Sequence, residues 1–351
     1  MELSLHPVFR ILIGAAAAFV ATGATPAGAA PATTVDYVAV GDSFAAGFGA
    51  GTPSGACQQT EGAYPKLWAT SKVELTFDAC IGAESTDVID KQLGGLNGKT
   101  DLVSITVGAN DLKLVATLRT CAPAPQSKAC TDALAAIPGA LSAFPAKMGT
   151  LLAAVHAKAP AAKIAVTGYP MPFADVAECQ QLPLAPNLRA AGNQAISALN
   201  QALAATARAA GVVFVDVAKA FAGHEQCTEK PWLVGTEDLS SILHPNLTGQ
   251  TQGYRAAFVE QVGSVDEILA WIAERDTPST PPSAEPSASA SASPAPGSGG
   301  GAVAAPPKAG GGGLPVTGPA LYSIVGVGAL LVLAGVIALL VFPRKARTVV
   351  D

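Results

Sequence analysis

The chain has 351 residues, is 50% hydrophobic and only 13% charged, and carries a net charge of -5. So apolar a sequence can bury a core, which excludes a wholly disordered chain. Its acidic balance offers phosphate no attraction, which excludes a nucleic-acid binder.

Arg10 precedes an apolar run from Ile11 to Val20, and Ala27-Gly28-Ala29 follows. A charge, a short apolar stretch and an A-x-A site are the parts of a secretory signal peptide, so residues 1–30 are expected to be removed on export. From residue 34 short β-branched runs alternate with helical patterns. Val35–Val40, Val73–Phe77, Leu102–Val107, Ile164–Thr167 and Val212–Val217 are predicted strands. Ala63–Ser71, Ser85–Leu93, Ala140–Ala157, Leu188–Ala210 and Asn246–Ile272 are predicted helices, the third entered through the turn signal Pro138-Gly139. This alternation implies one α/β domain over residues 34–275: a mainly parallel central sheet with helices on both faces, a three-layer sandwich. Ligands of such folds bind beyond the carboxyl ends of the strands.

Two predicted strands end in chemistry-bearing residues: Gly41-Asp42-Ser43-Phe44 after the first, and Gly108-Ala109-Asn110-Asp111 after the third. Gly82 follows the second, and His244-Pro245 precedes the last helix. A serine just past a strand end can be a nucleophile or a helix cap. Ala45 stands where a G-x-S-x-G elbow would have its second glycine. His156 in an Ala-rich helix is expected to be solvated, and His224 to be structural. Trp68 and Trp232 are expected to pack in the interior, although Trp232 could line a site. Six cysteines remain after export: Cys57, Cys80, Cys121, Cys130, Cys179 and Cys227. An even number outside the cell suggests disulfides. Neighbour pairing closes the shortest loops, so the expected bridges are Cys57–Cys80, Cys121–Cys130 and Cys179–Cys227. No zinc-site spacing is present, and no metal or other cofactor is expected.

Residues 276–313 are nearly all Pro, Ser, Ala, Gly and Thr, too poor in apolar bulk to offset ordering entropy; a flexible spacer is expected. The apolar run 320–342 is long enough as a helix to cross a bilayer, and the basic residues of the tail 343–351 would stay inside. Just before the run lies Leu314-Pro315-Val316-Thr317-Gly318. Pentapeptide, span and basic tail in this order resemble the LPXTG sorting signal of Gram-positive surface proteins. The resemblance implies transient membrane insertion, cleavage by a sortase between Thr317 and Gly318, and transfer of Thr317 to a peptidoglycan precursor. Loss of both ends takes Arg10, Arg344, Lys345 and Arg347 but only Glu2 and Asp351, so the exported part is more acidic than the whole.

In sequence order, Gly41-Asp42-Ser43, Gly82, Gly108-x-Asn110-Asp111 and His244-Pro245 resemble the blocks of the SGNH (GDSL-type) hydrolase family. Phe44 stands in place of the name-giving Leu. The six cysteines and Tyr64-Pro65 are similar to the secreted actinobacterial branch. The resemblance implies a flavodoxin-like sandwich and hydrolysis of carboxylic esters without a cofactor. Ser43 would attack, His244 would move the proton, and Ser43 N–H, Gly82 N–H and the Asn110 amide would form the oxyanion hole. Asp111 would support the loop holding Asn110. The family usually has Asp three residues before the His, and here that residue is Ser241. Its backbone carbonyl is the favoured orienting group, and Asp238 the alternative. The expected protein is therefore an exported, wall-anchored esterase or lipase, working as a monomer on an ester substrate. The competing expectation is a surface binding or adhesion module on a weakly active or inactive SGNH fold.

Overall fold

A computed structural model describes residues 32–277, apart from 181 and 183. The expected signal peptide, the spacer from 278 onward, the sorting motif, the span and the basic tail lie outside the described residues.

Five parallel strands form one sheet in the order β2-β1-β3-β4-β5. They are β1 Val35–Gly41, β2 Val73–Phe77, β3 Leu102–Thr106, β4 Lys163–Thr167 and β5 Val213–Val215. Residues 102–106 are buried throughout, and β1 is buried at all but Asp36. Both faces are therefore covered, which is why these strands read as near-continuous apolar runs. The order 2-1-3-4-5 reverses direction between β1 and β3, the switch point where such sheets bind ligands. Gly41 pairs with Thr106, so the chains leaving β1 and β3 start level with one another.

The helices are α1 Tyr64–Trp68, α2 Ser85–Lys91, α3 Leu114–Cys121, α4 Lys128–Lys158, α5 Pro186–Ala209, α6 Val217–Ala220, α7 Ala256–Gln261 and α8 Val265–Arg275. Four differ from expectation, the shortest being α6, which begins at the residue where the last predicted strand was expected to end. The helix assigned to Ala140–Ala157 begins at Lys128, and Pro138-Gly139 lies inside it rather than at its entry. Ser127 caps it by accepting from Cys130 N, and the Cys121–Cys130 disulfide pins that first turn, so the helix start is fixed upstream of the prolines. Helix α3 was not expected. The stretch Asn246–Ile272 is not one helix: Gly249–Arg255 is π-helical, α7 continues it, and the chain breaks before a new capping box at Ser264 and Glu267 starts α8.

That π-helical turn packs its glycines against an aromatic ring. A Cβ on Gly253 would fall 2.0 Å from the Phe221 ring. Gly253→Ala is expected to cost about 1–3 kcal/mol through overpacking. Gly139→Ala, where an added methyl meets nothing within 4 Å, is expected to be neutral or stabilising. Urea midpoints of the two variants check both.

Candidate active site

Ser43 is placed by the residue before it. Asp42 N donates to Thr106 O at 2.8 Å, carrying the β1–β3 pairing one residue past the strand. The Asp42 carboxylate is wholly buried and accepts from Phe44 N at 2.9 Å and from the Tyr169 hydroxyl at 2.5 Å. Tyr169 in turn accepts from Ala109 N at 3.3 Å. One carboxylate and one phenol thus tie together the loops that follow β1, β3 and β4. Burial pushes the Asp42 carboxyl up to about 7, against the pull of the Tyr169 and Phe44 hydrogen bonds.

The Ser43 hydroxyl oxygen lies 2.7 Å from His244 Nε2. On the other side of the ring, Nδ1 faces Ser241 O at 3.1 Å and Ile242 O at 3.2 Å. Carbonyl oxygens only accept, so Nδ1 carries the proton and Nε2 presents a bare lone pair to the serine. The loop holding the ring is pinned by Val234 N donating to His244 O and Leu243 N donating to Val234 O, both at 2.8 Å. Phe44 and Phe48 pack against the imidazole with centroids 5.0 and 5.1 Å away. This burial lowers the His244 pKa to about 4; the two carbonyls and Asp238 oppose the shift, and Arg119 adds to it.

Asp238 makes its hydrogen bonds to the loop, not to the ring. It accepts from Ser240 N at 3.0 Å, Ser240 Oγ at 2.6 Å and Ser241 Oγ at 2.5 Å. Those donors, Ser240 first, hold its carboxyl at about 2, so it stays charged.

Backbone accounting around Ser43 and Gly82 is selective. Asp42 N, Phe44 N, Cys80 N, Ile81 N and Ala83 N all have acceptors. The N–H groups of Ser43 and Gly82, each flanked by satisfied neighbours, donate to nothing within the described residues. Ser43 is buried, where an unpaired donor is rare; Gly82 is exposed, so its N–H is open to solvent or to an arriving ligand. Gly82 has φ +77, and an added Cβ would meet nothing within 4 Å. Glycine is needed there for the left-handed backbone, not to clear space. Asn110 Nδ2 donates to Ala83 O at 3.1 Å, locking the β3 loop to the Gly82 loop with one amide hydrogen left over. Asp111 braces the same junction by accepting from Ser85 N at 3.0 Å and Ser85 Oγ at 3.1 Å.

An apolar cleft of about 820 Å³, counting its open mouth, is walled by Phe44, Ala109 and Leu243, the chain neighbours of Ser43, Asn110 and His244. Its walls also include Leu114, Val115 and Leu118 of α3, and Leu188, Ala195 and Ile196 of α5. The disulfides are Cys57–Cys80, Cys121–Cys130 and Cys179–Cys227. The first ties the Gly82 loop to the segment after β1, and the second ties the end of α3 to the first turn of α4. Trp232 stacks on His224 at 3.7 Å instead of entering the cleft, and His156 is exposed.

A model of the GDSL-like lipase/acylhydrolase family matches residues 39–252. The chain belongs to that family. Lipase 1 of Streptomyces coelicolor is 38% identical over 250 residues, 69% of this chain and 92% of that protein. The lipase of Streptomyces rimosus is 39% identical over 251 residues, 70% of this chain and 92% of the other. The solved extracellular lipase of Streptomyces rimosus aligns with TM-score 0.61 and 36% identity, covering 65% of this chain and 100% of that one. Phospholipase A1 of Streptomyces albidoflavus NA297 aligns with TM-score 0.61 and 34% identity, covering 65% and 99%. The GDSL chain described here is accordingly an ester hydrolase of the lipase and esterase type, and its disulfides suit an extracellular compartment.

Sequence reasoning missed the Asp42–Tyr169 link and the α3 wall of the cleft. Leu114, Val115 and Leu118 carried a helical apolar spacing that could have found α3. A base must be neutral to take a proton, so with His244 as the expected base the acid limb of log kcat/KM on a soluble ester is expected near pH 4, not near the ordinary histidine value of 6.5. Asp238→Asn removes a charge that favours imidazolium, and is expected to move that limb lower still, with KM unchanged. An acid limb near 6.5 in the wild type would contradict the burial argument.

Proposed function

We propose that the protein is an exported serine esterase, tethered to a Gram-positive cell wall, that hydrolyses carboxylic esters with long apolar acyl chains. The observation that carries this reading is the 2.7 Å contact between Ser43 Oγ and His244 Nε2, joining residues 201 positions apart.

His244 takes the Ser43 proton as the hydroxyl oxygen attacks the ester carbonyl. The tetrahedral oxyanion is received by the vacant N–H groups of Ser43 and Gly82 and the second Asn110 amide hydrogen, each donor worth about 3 kcal/mol in the transition state. His244 then passes its proton to the departing alcohol, leaving an acyl group on Ser43. Water, deprotonated by the same ring, releases the acid. The Ser241 and Ile242 carbonyls hold the tautomer in place of the family's usual carboxylate, and Asp238 is a positioning residue that fixes their loop. The apolar cleft accepts the acyl chain, for a polar or acetyl group would gain nothing from its walls.

A fluorophosphonate probe is expected to label the wild type. Ser43→Ala is expected to abolish labelling and lower ester turnover by about a thousandfold or more. With a series of esters from acetyl to palmitoyl, kcat/KM is expected to rise with chain length. Ala195→Phe, which narrows the cleft, is expected to remove only the long-chain gain. Absence of labelling in folded wild type would favour a binding or adhesion module, and preference for acetyl would point to carbohydrate deacetylation.

Tethering rests on the 314–318 pentapeptide followed by the span and basic tail. Thr317→Ala is expected to shift the protein from muramidase-released wall material to the membrane fraction or medium, as read by immunoblot. An unchanged wall fraction would remove the sortase step.

A further inference from the structure

Among the described residues, four other than glycine have positive φ: Gln58, Lys113, Cys227 and Leu243. Gln58 and Lys113 carry polar side chains, and Cys227 is held by its disulfide. Leu243, at φ +64, is a bulky aliphatic residue in the left-handed region that favours glycine and asparagine. Such strain persists only where the surroundings over-determine it, and it concentrates at functional sites. Leu243 immediately precedes His244.

The strain has a geometric source. His244 N donates to Ser241 O at 3.0 Å, closing a four-residue turn in which Leu243 is the third residue. Positive φ at Leu243 but not at Ile242 makes this a type II turn, whose third position ordinarily takes Gly or Asn. The same Ser241 oxygen accepts from His244 Nδ1 at 3.1 Å. One carbonyl therefore closes the turn and orients the ring, so any rotation of the Leu243 backbone disturbs both. The Leu243 side chain packs against the apolar cluster that includes Phe173, Leu184 and Leu188. It stays half-buried, because its remaining surface walls the apolar cleft. Glycine would make this turn without strain. Leucine makes it under strain and places an aliphatic side chain in the cleft, one residue from the imidazole.

We propose that Leu243 is the residue through which the acyl chain of the substrate acts on catalysis: a chain lying in the cleft packs against the Leu243 side chain and holds the strained turn, and with it His244, in the geometry that meets Ser43. Leu243 is thus a positioning residue that also sets acyl specificity, acting through His244 and not on the reacting atoms. A short acyl group leaves the cleft-facing side of Leu243 without apolar neighbours, and nothing on that side resists relaxation of the turn. A long acyl chain covers it. Contact made far from the carbonyl then goes into orienting the base, so chain length raises kcat and does not merely lower KM.

The inference rests on the esterase reading and deepens it, so the experiment separates the two. For dissolved p-nitrophenyl esters from acetyl to decanoyl, kcat and KM are measured separately. In the wild type kcat is expected to rise about tenfold along the series. Leu243→Gly and Leu243→Asn suit the left-handed position but give the chain no aliphatic side chain to press on. Both are expected to cut the decanoyl-to-acetyl ratio of kcat to about twofold or less, whichever ester moves. Leu243→Met keeps an aliphatic contact at the strained position and is expected to retain most of the ratio. A readout without turnover accompanies these: decanamide, which carries the chain but no ester, is expected at saturation to shift the ring C–H proton resonances of His244 in the wild type and not in Leu243→Gly. The inference is overturned by a wild-type kcat that is flat along the series, by an unchanged ratio in the Gly and Asn variants, by a loss confined to KM, by a ratio in Leu243→Met as low as in Leu243→Gly, or by His244 resonances that decanamide leaves in place. Failure of the wild type to cleave any of the esters would instead sink the esterase reading, with the response of His244 to decanamide still measurable.

Discussion

The hydrogen bond between Ser43 and His244 closes a span of 201 residues, and neither partner could make it unless each were fixed independently. The serine is fixed from below by the sheet: Gly41 pairs with Thr106, Asp42 extends the pairing, and the Asp42 carboxylate is clamped by Tyr169. The histidine is fixed from the rim, by a backbone exchange with Val234 and by two carbonyls on Nδ1. Two aromatic rings then remove water from the imidazole. Positioning through rigid backbone leaves the hydroxyl and the ring little freedom to lose at the moment of reaction.

Replacing the usual carboxylate by carbonyls has a chemical consequence. A neutral acceptor fixes the tautomer but stabilises imidazolium less than a charge would, so as the proposed base a ring held at about 4 is weak before substrate binds. The negative charge that develops on the substrate oxygen next to the ring offsets this in the transition state, provided the oxyanion itself is well held. In the proposed mechanism the N–H groups of Ser43 and Gly82, which donate to nothing within the described residues, answer that need. The Asn110–Ala83 bond ties the loop after β3 to the Gly82 loop, so two of the three proposed donors are held together before substrate arrives.

Much of this was legible in the sequence because it depends on short local patterns. All five strands were found: burial writes near-continuous apolar runs in β1, β3 and β4, and the partly buried β2 and β5 are marked by β-branched and aromatic residues. The ordered blocks around Ser43, Gly82, Asn110 and His244 named the family because backbone-donor chemistry demands particular small residues at particular strand ends. What stayed hidden depends on distant partners. Asp42 resembles any cap until Tyr169, 127 residues away, closes on it. Helix α4 overruns Pro138-Gly139 because a disulfide and Ser127 fix its start, whereas local propensity argues for a break. The π-helical turn at Gly249–Arg255 answers to the Phe221 ring, which no periodicity reveals.

Burial acts on Asp42 and His244 with opposite sign, and the two shifts interlock. Between 3.8 and about 7 the folded protein keeps a proton on Asp42 that the unfolded chain releases, so this group's contribution to stability is lost as pH rises. Between about 4 and 6.5 the folded protein refuses a proton on His244 that the unfolded chain accepts, so this group's contribution grows as pH rises. Over their shared window the two slopes oppose each other, and acidification that would otherwise favour unfolding through the histidine is countered by the aspartate, the residue before the serine that the histidine contacts. The neutral imidazole that the chemistry needs and the protonated carboxyl that the fold tolerates therefore coexist in mildly acid conditions. A desolvated base next to Ser43 is compatible with a stable fold there because the same apolar surroundings that lower one group's affinity for protons raise the other's.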